Sequence, residues 1–396
     1  MKANLPIQRR QFLNLSAQGM GAFFLGAHCT TLFAGGVPEV SGMFTQISDF
    51  SKLQPADENG IRLPKGFRSK VVARSSQSVV STSDYKWHGA PDGGACFATD
   101  DGGWVYASNS EIENNKGGVG CIRFNANGDI IDAYPILQNT NNNCAGGKTP
   151  WNTWLSCEEV DRGRVFECDP YGVKEAQVLP ALGYFEHEAV TVDECHQHLF
   201  LTEDDEQGNF YRFIPSNKLP NLEAGELQVA ELIQVGDSYK VNWHKITDPQ
   251  ATTTATRKQV SQATQFNGGE GIQWSKNHVY FTTKGDNRVW DYDTREQAMS
   301  ILYDIKTADN PLLSGVDNLT ITASGDVLVA EDGGDMQLVL LTASGSVIPV
   351  MQVVGQDLSE ICGPAFSPDF QRLYFSSQTG PNDRDEEGII YEVSKL

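Results

Sequence analysis

From Gly66 onward the chain alternates short runs of β-branched and aromatic residues with polar turns, and the runs repeat. WVYASNSE from Trp104, WLSCEE from Trp154, LFLTEDD from Leu199, VYFTTKGD from Val279, VLVAEDGGD from Val327 and LYFSSQTG from Leu373 share one pattern, a few β-formers followed by small hydroxyl or acidic residues. Most are followed by a second apolar run, among them GCIRFNANGD, GRVFECDP, NFYRFIP, NRVWDYD and GIIYEV. Runs of this length bounded by Gly, Asn and Asp read as strands joined by hairpins. Successive units start about 45 to 50 residues apart, with one gap of roughly 80 that holds a Thr- and Gln-rich insertion at about 243–266.

A period near 45 residues with about four strands per unit predicts an all-β, six-bladed β-propeller over 66–396. The last unit ends in GIIYEV and lacks a partner strand, which Phe67 to Val80 supplies from the other end of the chain. Helical periodicity is missing, which disfavours a doubly wound α/β fold. A pair of stacked sandwiches leaves the recurrent unit unexplained. Ahead of the propeller, 37–65 is rich in Ser, Pro and Asp and is expected to be an irregular approach segment.

Charge and the N-terminus narrow the setting. A formal net charge of -21 leaves no basic surface for phosphate backbones and argues against a nucleic-acid partner. Arg9 and Arg10 open RRQFLN ahead of a weakly apolar, Gly-rich stretch to about Gly36. That order predicts a twin-arginine export signal over 1–36, use of the twin-arginine machinery, and a periplasmic or secreted protein. Asn14, Gln18 and His28 interrupt the stretch, so no stable membrane span is expected. Cleavage beyond Cys29 leaves seven cysteines, an odd number that cannot be fully paired. Cys144 is the candidate ligand among them, and a monomer is expected.

The stretch NCAGGKTPWNTWLSCEE, Asn143 to Glu159, brings a thiol and the carboxylates of Glu158 and Glu159 together across one Gly-Gly turn. Thiolates suit iron or zinc and carboxylates suit iron or calcium. A cysteine beside an acidic pair is more commonly a small buried residue next to a solvated turn, but here the pattern repeats. Glu111, Glu203 to Asp205, Asp286, and Glu331 with Asp332 follow the equivalent run, while Glu188 in FEHEAV, Glu270 in FNGGEG and Asp317 in GVDNLT precede one. In a propeller such positions converge on the central channel, where a ring of carboxylates repels itself unless cations or protons neutralise it. A metal site in that channel follows, although Asp and Gly after a strand are also ordinary hairpin chemistry.

In their order, NCAGGKTPWNTWLSCEE, HEAV, LTEDD with FYRF, GGEGIQW with VYFTT, GVDNLTI and VAEDGG resemble the PhoX family of exported bacterial alkaline phosphatases, from about Pro91 to Gly380. The resemblance implies a six-bladed propeller, hydrolysis of phosphate esters, and a cofactor of iron and calcium ions. It implies Cys144 as an iron ligand and Glu158, Glu159, Glu188 and Glu270 as metal-binding carboxylates, with Asp317, Glu331 and Asp332 in matching blocks. Two departures bear on the reaction. Gly268 stands where the family carries an arginine that helps hold phosphate, and Tyr184 where it usually carries an arginine in the turn before HEAV. Lys148 and Lys284 are the cations available to replace them as point charges without an arginine's fork.

The expected reaction is metal-dependent hydrolysis of a phosphate ester. A calcium-dependent lactonase or esterase, and a non-catalytic propeller that binds structural calcium, are the rivals. No Gly-x-Ser-x-Gly elbow or P-loop supports a serine hydrolase or an NTPase.

Overall fold

A computed structural model describes residues 42–45 and 47–396. The expected export signal at 1–36 lies outside the described residues, as does the start of the approach segment. Within them the chain is all-β and propeller-like, with only short 3-10 turns besides the strands.

Five sheets, every strand pair antiparallel, follow one another along the chain. Pro91–Ala98, Trp104–Ser110, Gly117–Phe124 and Ile130–Thr140 form the first, and Gly147–Lys148, Trp154–Cys157, Val165–Cys168 and Gln177–Val178 the second. A nine-stranded sheet comprises two meanders, His187–Asp193 to Ser238–Lys245 and Gly269–Ser275 to Ala298–Asp304. They join edge to edge where Tyr239 and Lys240 pair with Met299 and Ala298. Val316–Ile321, Val327–Glu331, Gln337–Leu341 and Val347–Val353 take Ile61–Arg62 from the approach segment as a fifth strand. Ile361–Phe366, Arg372–Ser377 and Ile389–Lys395 are completed by Phe67–Arg74, so the closing sheet combines both ends of the described chain.

The first strand of each meander touches the first strand of the next. Pro91–Ala98 meets Gly147–Lys148, then His187–Asp193, Gly269–Ser275, Val316–Ile321 and Ile361–Phe366 follow, and the last returns to Pro91–Ala98. Burial explains their composition. His187–Asp193 and Ile361–Phe366 are buried at every position, whereas the outlying Ile130–Thr140 is largely half-buried or exposed. Between the two meanders of the nine-stranded sheet the core is apolar: Phe200, Phe210, Phe281 and Tyr292 pack together, with Phe210 and Phe281 stacked at 4.6 Å. Each such side chain contributes about 1.5–3 kcal/mol on burial, enough for the sheet interfaces to support a polar axis.

Five of the six first strands carry a register shift near their start, between Pro91 and Gly94, His187 and Val190, Gly269 and Ile272, Val316 and Leu319, and Cys362 and Ala365. A bulge re-aims the side chains within it. Four of the bulges contain Asp92, Glu188, Glu270 and Asp317.

Candidate metal centre

Side-chain hydrogen bonds hold the ligand-bearing segments in place from one meander to the next. Thr202 Oγ1 donates to the Glu270 carbonyl at 2.6 Å, Thr282 Oγ1 to that of Asp317, and Asn109 Nδ2 to that of Cys144. Asn318 Oδ1 accepts from Gly363 N at 2.7 Å. The hydroxyl residues Thr202 and Thr282 in the repeated runs therefore join one meander to the next. Two glycines let the Cys144 segment fit: Gly146 has φ +72, and a Cβ on Gly147 would overlap the Val190 carbonyl oxygen. Gly146 N donates to the Glu188 carbonyl and Val190 N to that of Gly146, which fixes Cys144 beside Glu188.

Ligand-bearing side chains converge as four overlapping triads, their donor atoms within 4.8 Å of one another in each. These are Asp92, Glu111 and Cys144; Asp92, Glu360 and Cys362; Cys144, Glu159 and Glu188; and Glu188, Glu270 and Asp317. Shared members make one continuous nest of seven carboxylates and two thiols. Among the described residues, Lys284 is the one basic side chain in ion-pair reach of it, 3.1 Å from Glu270 and 3.3 Å from Asp332 at the rim.

The nest fits cations. Glu188 is fully buried, yet neither of its carboxylate oxygens has a hydrogen-bond partner among the described residues, and Glu270 Oε1 has only the unaligned Lys284 ammonium. Leaving buried charges unpaired is costly unless a metal coordinates them. Burial, then the charges of its neighbours, pushes Glu188 well above the carboxylate range, Glu111 and Glu360 are raised in the same way, and burial raises Glu270 against the pull of Lys284. Burial and the charge of Asp204 lift Glu159 to about 8, and burial lifts Asp317 to about 6 against the pull of Lys284. Burial and the surrounding carboxylates likewise raise the Cys144 thiol. For Lys284, burial opposes the charged form, but Glu270, Asp317, Glu360 and Asp332 outweigh it and raise its pKa. Thiol and carboxylate donors together suit a transition metal beside a hard cation such as calcium.

Of the residues the sequence singled out, Glu111, Cys144, Glu159, Glu188, Glu270 and Asp317 come together here. Glu158 does not. Its carboxylate faces away from that of Glu159 and takes Arg164 at 2.8 and 3.0 Å together with Asn141 N. Glu331 is also a brace, accepting from Ser314 N and Gln337 N, and burial raises it to about 7. Glu203 repeats the role with Tyr211, Asn209 N and Arg257. In each acidic pair, then, the first residue braces the loop and the second, Glu159, Asp204 or Asp332, turns toward Lys284 and the nest, because neighbouring side chains leave a strand end in opposite directions. Asp286 is paired with Arg288 at 2.8 Å.

Lys148 lies elsewhere. Its Nζ donates to the Cys96 carbonyl at 2.6 Å and sits over the Phe97 ring, lining a cavity of about 500 Å³ between the later portions of the first strands. Gly93, Ala145, Ala189, Gly271, Asn318 and Gly363, each following a member of the nest, lie between the nest and that cavity. Gly268 has φ +68, and a Cβ there would stand 3.6 Å from the Lys284 Cβ. Tyr184 packs under the Arg162 guanidinium.

Asp92, Glu360 and Cys362 escaped the sequence reading. PDGG looks like a hairpin turn, and the signal that identifies Asp92 is its place as the second residue of a first strand, the same as that of Glu188, Glu270 and Asp317. Cys362 occupies the corresponding start in the last unit, two residues after Glu360.

Comparisons with known proteins agree with this geometry. A chain solved as Pseudomonas fluorescens PhoX in complex with vanadate, a transition state analogue, superposes with a TM-score of 0.71 at 16% identity, covering 87% of this chain and 97% of that one. A gluconolactonase, XC5397 from Xanthomonas campestris, superposes with a TM-score of 0.53 at 12% identity, covering 88% and 99%. These likenesses establish a shared fold. No curated protein sequence matches the chain. The family profile described as Alkaline phosphatase PhoX matches residues 132–165 and 160–381. The chain belongs to the alkaline phosphatase PhoX family.

Proposed function

We propose that this protein is an exported, metal-dependent hydrolase of phosphate esters, with iron and calcium ions held at the axis of a six-bladed propeller. Counting the nine-stranded sheet as two blades joined at an edge gives the six. The observation that carries the reading is the buried nest, above all Glu188, whose two orphaned oxygens need a cation. Cys144, Glu159, Glu188, Glu270 and Asp317 would hold the ions, with the thiolate favouring iron and the carboxylates calcium. Bound there, the ions would supply Lewis acidity toward phosphoryl oxygens and lower the pKa of a water.

The chain's own residues orient the ester. Lys284 stands beside Gly268, the position of an absent arginine, and its ammonium offers a point charge to phosphoryl oxygens once cations relieve Glu270 of it. Asp204 and Asp332 border Lys284 and set the negative rim that a substrate must pass. Arg257, from the insertion, ties that rim down by ion pairs to Glu203 and Asp205 at 3.0 and 2.7 Å. Lys148, on the cavity side of the small-residue layer, has no part in this step. No helix among the described residues is long and apolar enough to cross a membrane. Export by the twin-arginine route and action as a periplasmic or secreted monomer complete the proposal.

Gly268 and Tyr184 favour a second reading, in which the same ions act on the carbonyl of a lactone. Hydrolysis of p-nitrophenyl phosphate and of a gluconolactone by metal-loaded and chelator-treated protein separates the two. Metal-dependent phosphate release supports the phosphatase, and metal-dependent lactone opening without phosphate release replaces it.

A further inference from the structure

The nest contains a second thiol that the Cys144 site does not require. Cys362 is fully buried at the start of Ile361–Phe366, and its sulfur lies with carboxylate oxygens of Asp92 and Glu360 in one group spanning no more than 4.8 Å. Two segments distant in sequence build this triad. Asp92 comes from the first bulge, while Glu360 and Cys362 lie two residues apart at the start of the last first strand, with Glu360 bridged to Asp332 at the rim. Asp92 is held by Gln378 Nε2 at 2.9 Å, and the same amide reaches Glu111 at 2.6 Å, so one glutamine orients acids of two triads. The carboxylate of Glu360 accepts no hydrogen bond and makes no ion pair among the described residues, although Lys284 stands within electrostatic reach.

The second observation concerns the nest as a whole. The triads form a chain through shared members, and Glu188, fully buried with both oxygens unpartnered, is aimed into it. Arg164, Arg257 and Arg288 are committed to Glu158, Glu203, Asp205, Asp286 and Asp304. The single ammonium of Lys284 is spent at the Glu270 and Asp332 end. Among the described residues, then, no basic side chain forms an ion pair with Asp92, Glu111 or Glu360, and Asp92 is fully buried.

We propose that Asp92, Glu360 and Cys362 form a second thiolate-containing metal position, separate from the Cys144 position and joined to it through Asp92. The ligand is a divalent or trivalent transition-metal ion, because a soft thiolate with two hard carboxylates selects such an ion over calcium alone. Binding releases the thiol proton to solvent and forms a metal–sulfur bond, with no change of oxidation state required. The proposal rests on the reading that the nest holds cations, and it is independent of the reaction catalysed.

Co²⁺ is the probe. Purified protein is freed of metal by dialysis against chelator, reloaded with Co²⁺ under reducing conditions, and read by bound cobalt per chain and by the near-ultraviolet thiolate-to-cobalt charge-transfer absorbance. Cys144→Ser, Cys362→Ser, their double variant and Glu360→Gln are compared, with thermal unfolding as a control for folding. Each single cysteine variant is expected to lose about half of the charge-transfer absorbance, and the double variant all of it. Glu360→Gln is expected to weaken only the component that Cys362→Ser removes. A Cys362→Ser protein with wild-type absorbance and cobalt content overturns the second position while leaving the Cys144 site intact. Loss confined to Cys362→Ser, with Cys144→Ser unchanged, overturns the first reading instead. Elemental analysis of the same variants as purified, before any chelation, provides the parallel count and is expected to show one transition-metal ion fewer in Cys362→Ser.

Discussion

Replacing Glu188 with methionine is expected to stabilise the metal-free protein and destabilise the metal-loaded one. Without cations the carboxylate is buried with two unpartnered oxygens among other acids. Each unsatisfied buried acceptor costs about 1–3 kcal/mol, and since protonation relieves part of this, removing the group gains about 2 kcal/mol. Methionine has a similar length and a flexible thioether that fills irregular gaps. At ~2.1 cal/mol/K per residue, the described part of the chain unfolds with an entropy of about 0.7 kcal/mol/K, so the gain appears as a rise of about 3 °C in Tm. With metals bound the substitution deletes a ligand. A 10- to 100-fold loss of affinity is about 1.4–2.7 kcal/mol, a fall in Tm of about 2–4 °C. Differential scanning calorimetry with excess chelator and with saturating Ca²⁺ and iron reads both arms. A shift of the same sign in both states refutes the reasoning, because Glu188 would then be an ordinary buried group indifferent to cations.

Other outcomes follow from the same geometry. In the metal-free protein, stability should fall as pH rises from about 4.5 to 8. Glu159, raised from 4.5 to about 8, and Asp317, raised from 3.8 to about 6, bind more protons folded than unfolded across that window, so the slope is negative. Metal affinity should rise over the same range, since ions compete with those protons, and urea titrations with and without chelator check both signs. Arg164→Met should destabilise by roughly 1–3 kcal/mol, less than the loss of a fully buried pair because Arg164 is partly exposed and Asn141 N still serves Glu158, while leaving metal content unchanged, as denaturation and elemental analysis will report. Lys284→Met should raise KM for an aryl phosphate about tenfold or more, whereas Lys148→Met should leave it unchanged; equal effects would contradict the separation of the two lysines. Gly268→Arg should not act as a gain of function, because its φ of +68 and the Asp204 carboxylate 3.1 Å from a Cβ both resist a side chain.

The repeated runs were enough to predict an all-β ring, because inner strands buried on both faces must be built from small and β-forming residues whatever the blade. The pairing of Phe67–Arg74 with Ile389–Lys395 was legible from an unpartnered last run. Individual acids were less so. Glu158 and Glu159 are adjacent and chemically alike, and only the Arg164 guanidinium in space distinguishes a brace from a ligand candidate. The bulges hid more: strict alternation puts Glu188 and His187 on opposite faces, and the shift between His187 and Val190 buries both, His187 against Phe185 and Glu188 in the nest. Asp92 and Cys362 were missed because a Pro-Asp-Gly-Gly sequence and an Ile-Cys-Gly-Pro sequence look like turns until the ring brings them together. Lys148 was misleading for the reverse reason. It is close to Cys144 in sequence, but the strand starting at Gly147 carries it toward the cavity.

The central claim is that this nest is a metal centre. Its most direct test is elemental analysis of protein purified after native export, beside a Cys144→Ala variant. The account predicts iron and calcium at near-stoichiometric levels in the wild type, with iron reduced in the variant. Protein that carries neither metal above background, with the variant indistinguishable from it, would contradict the account.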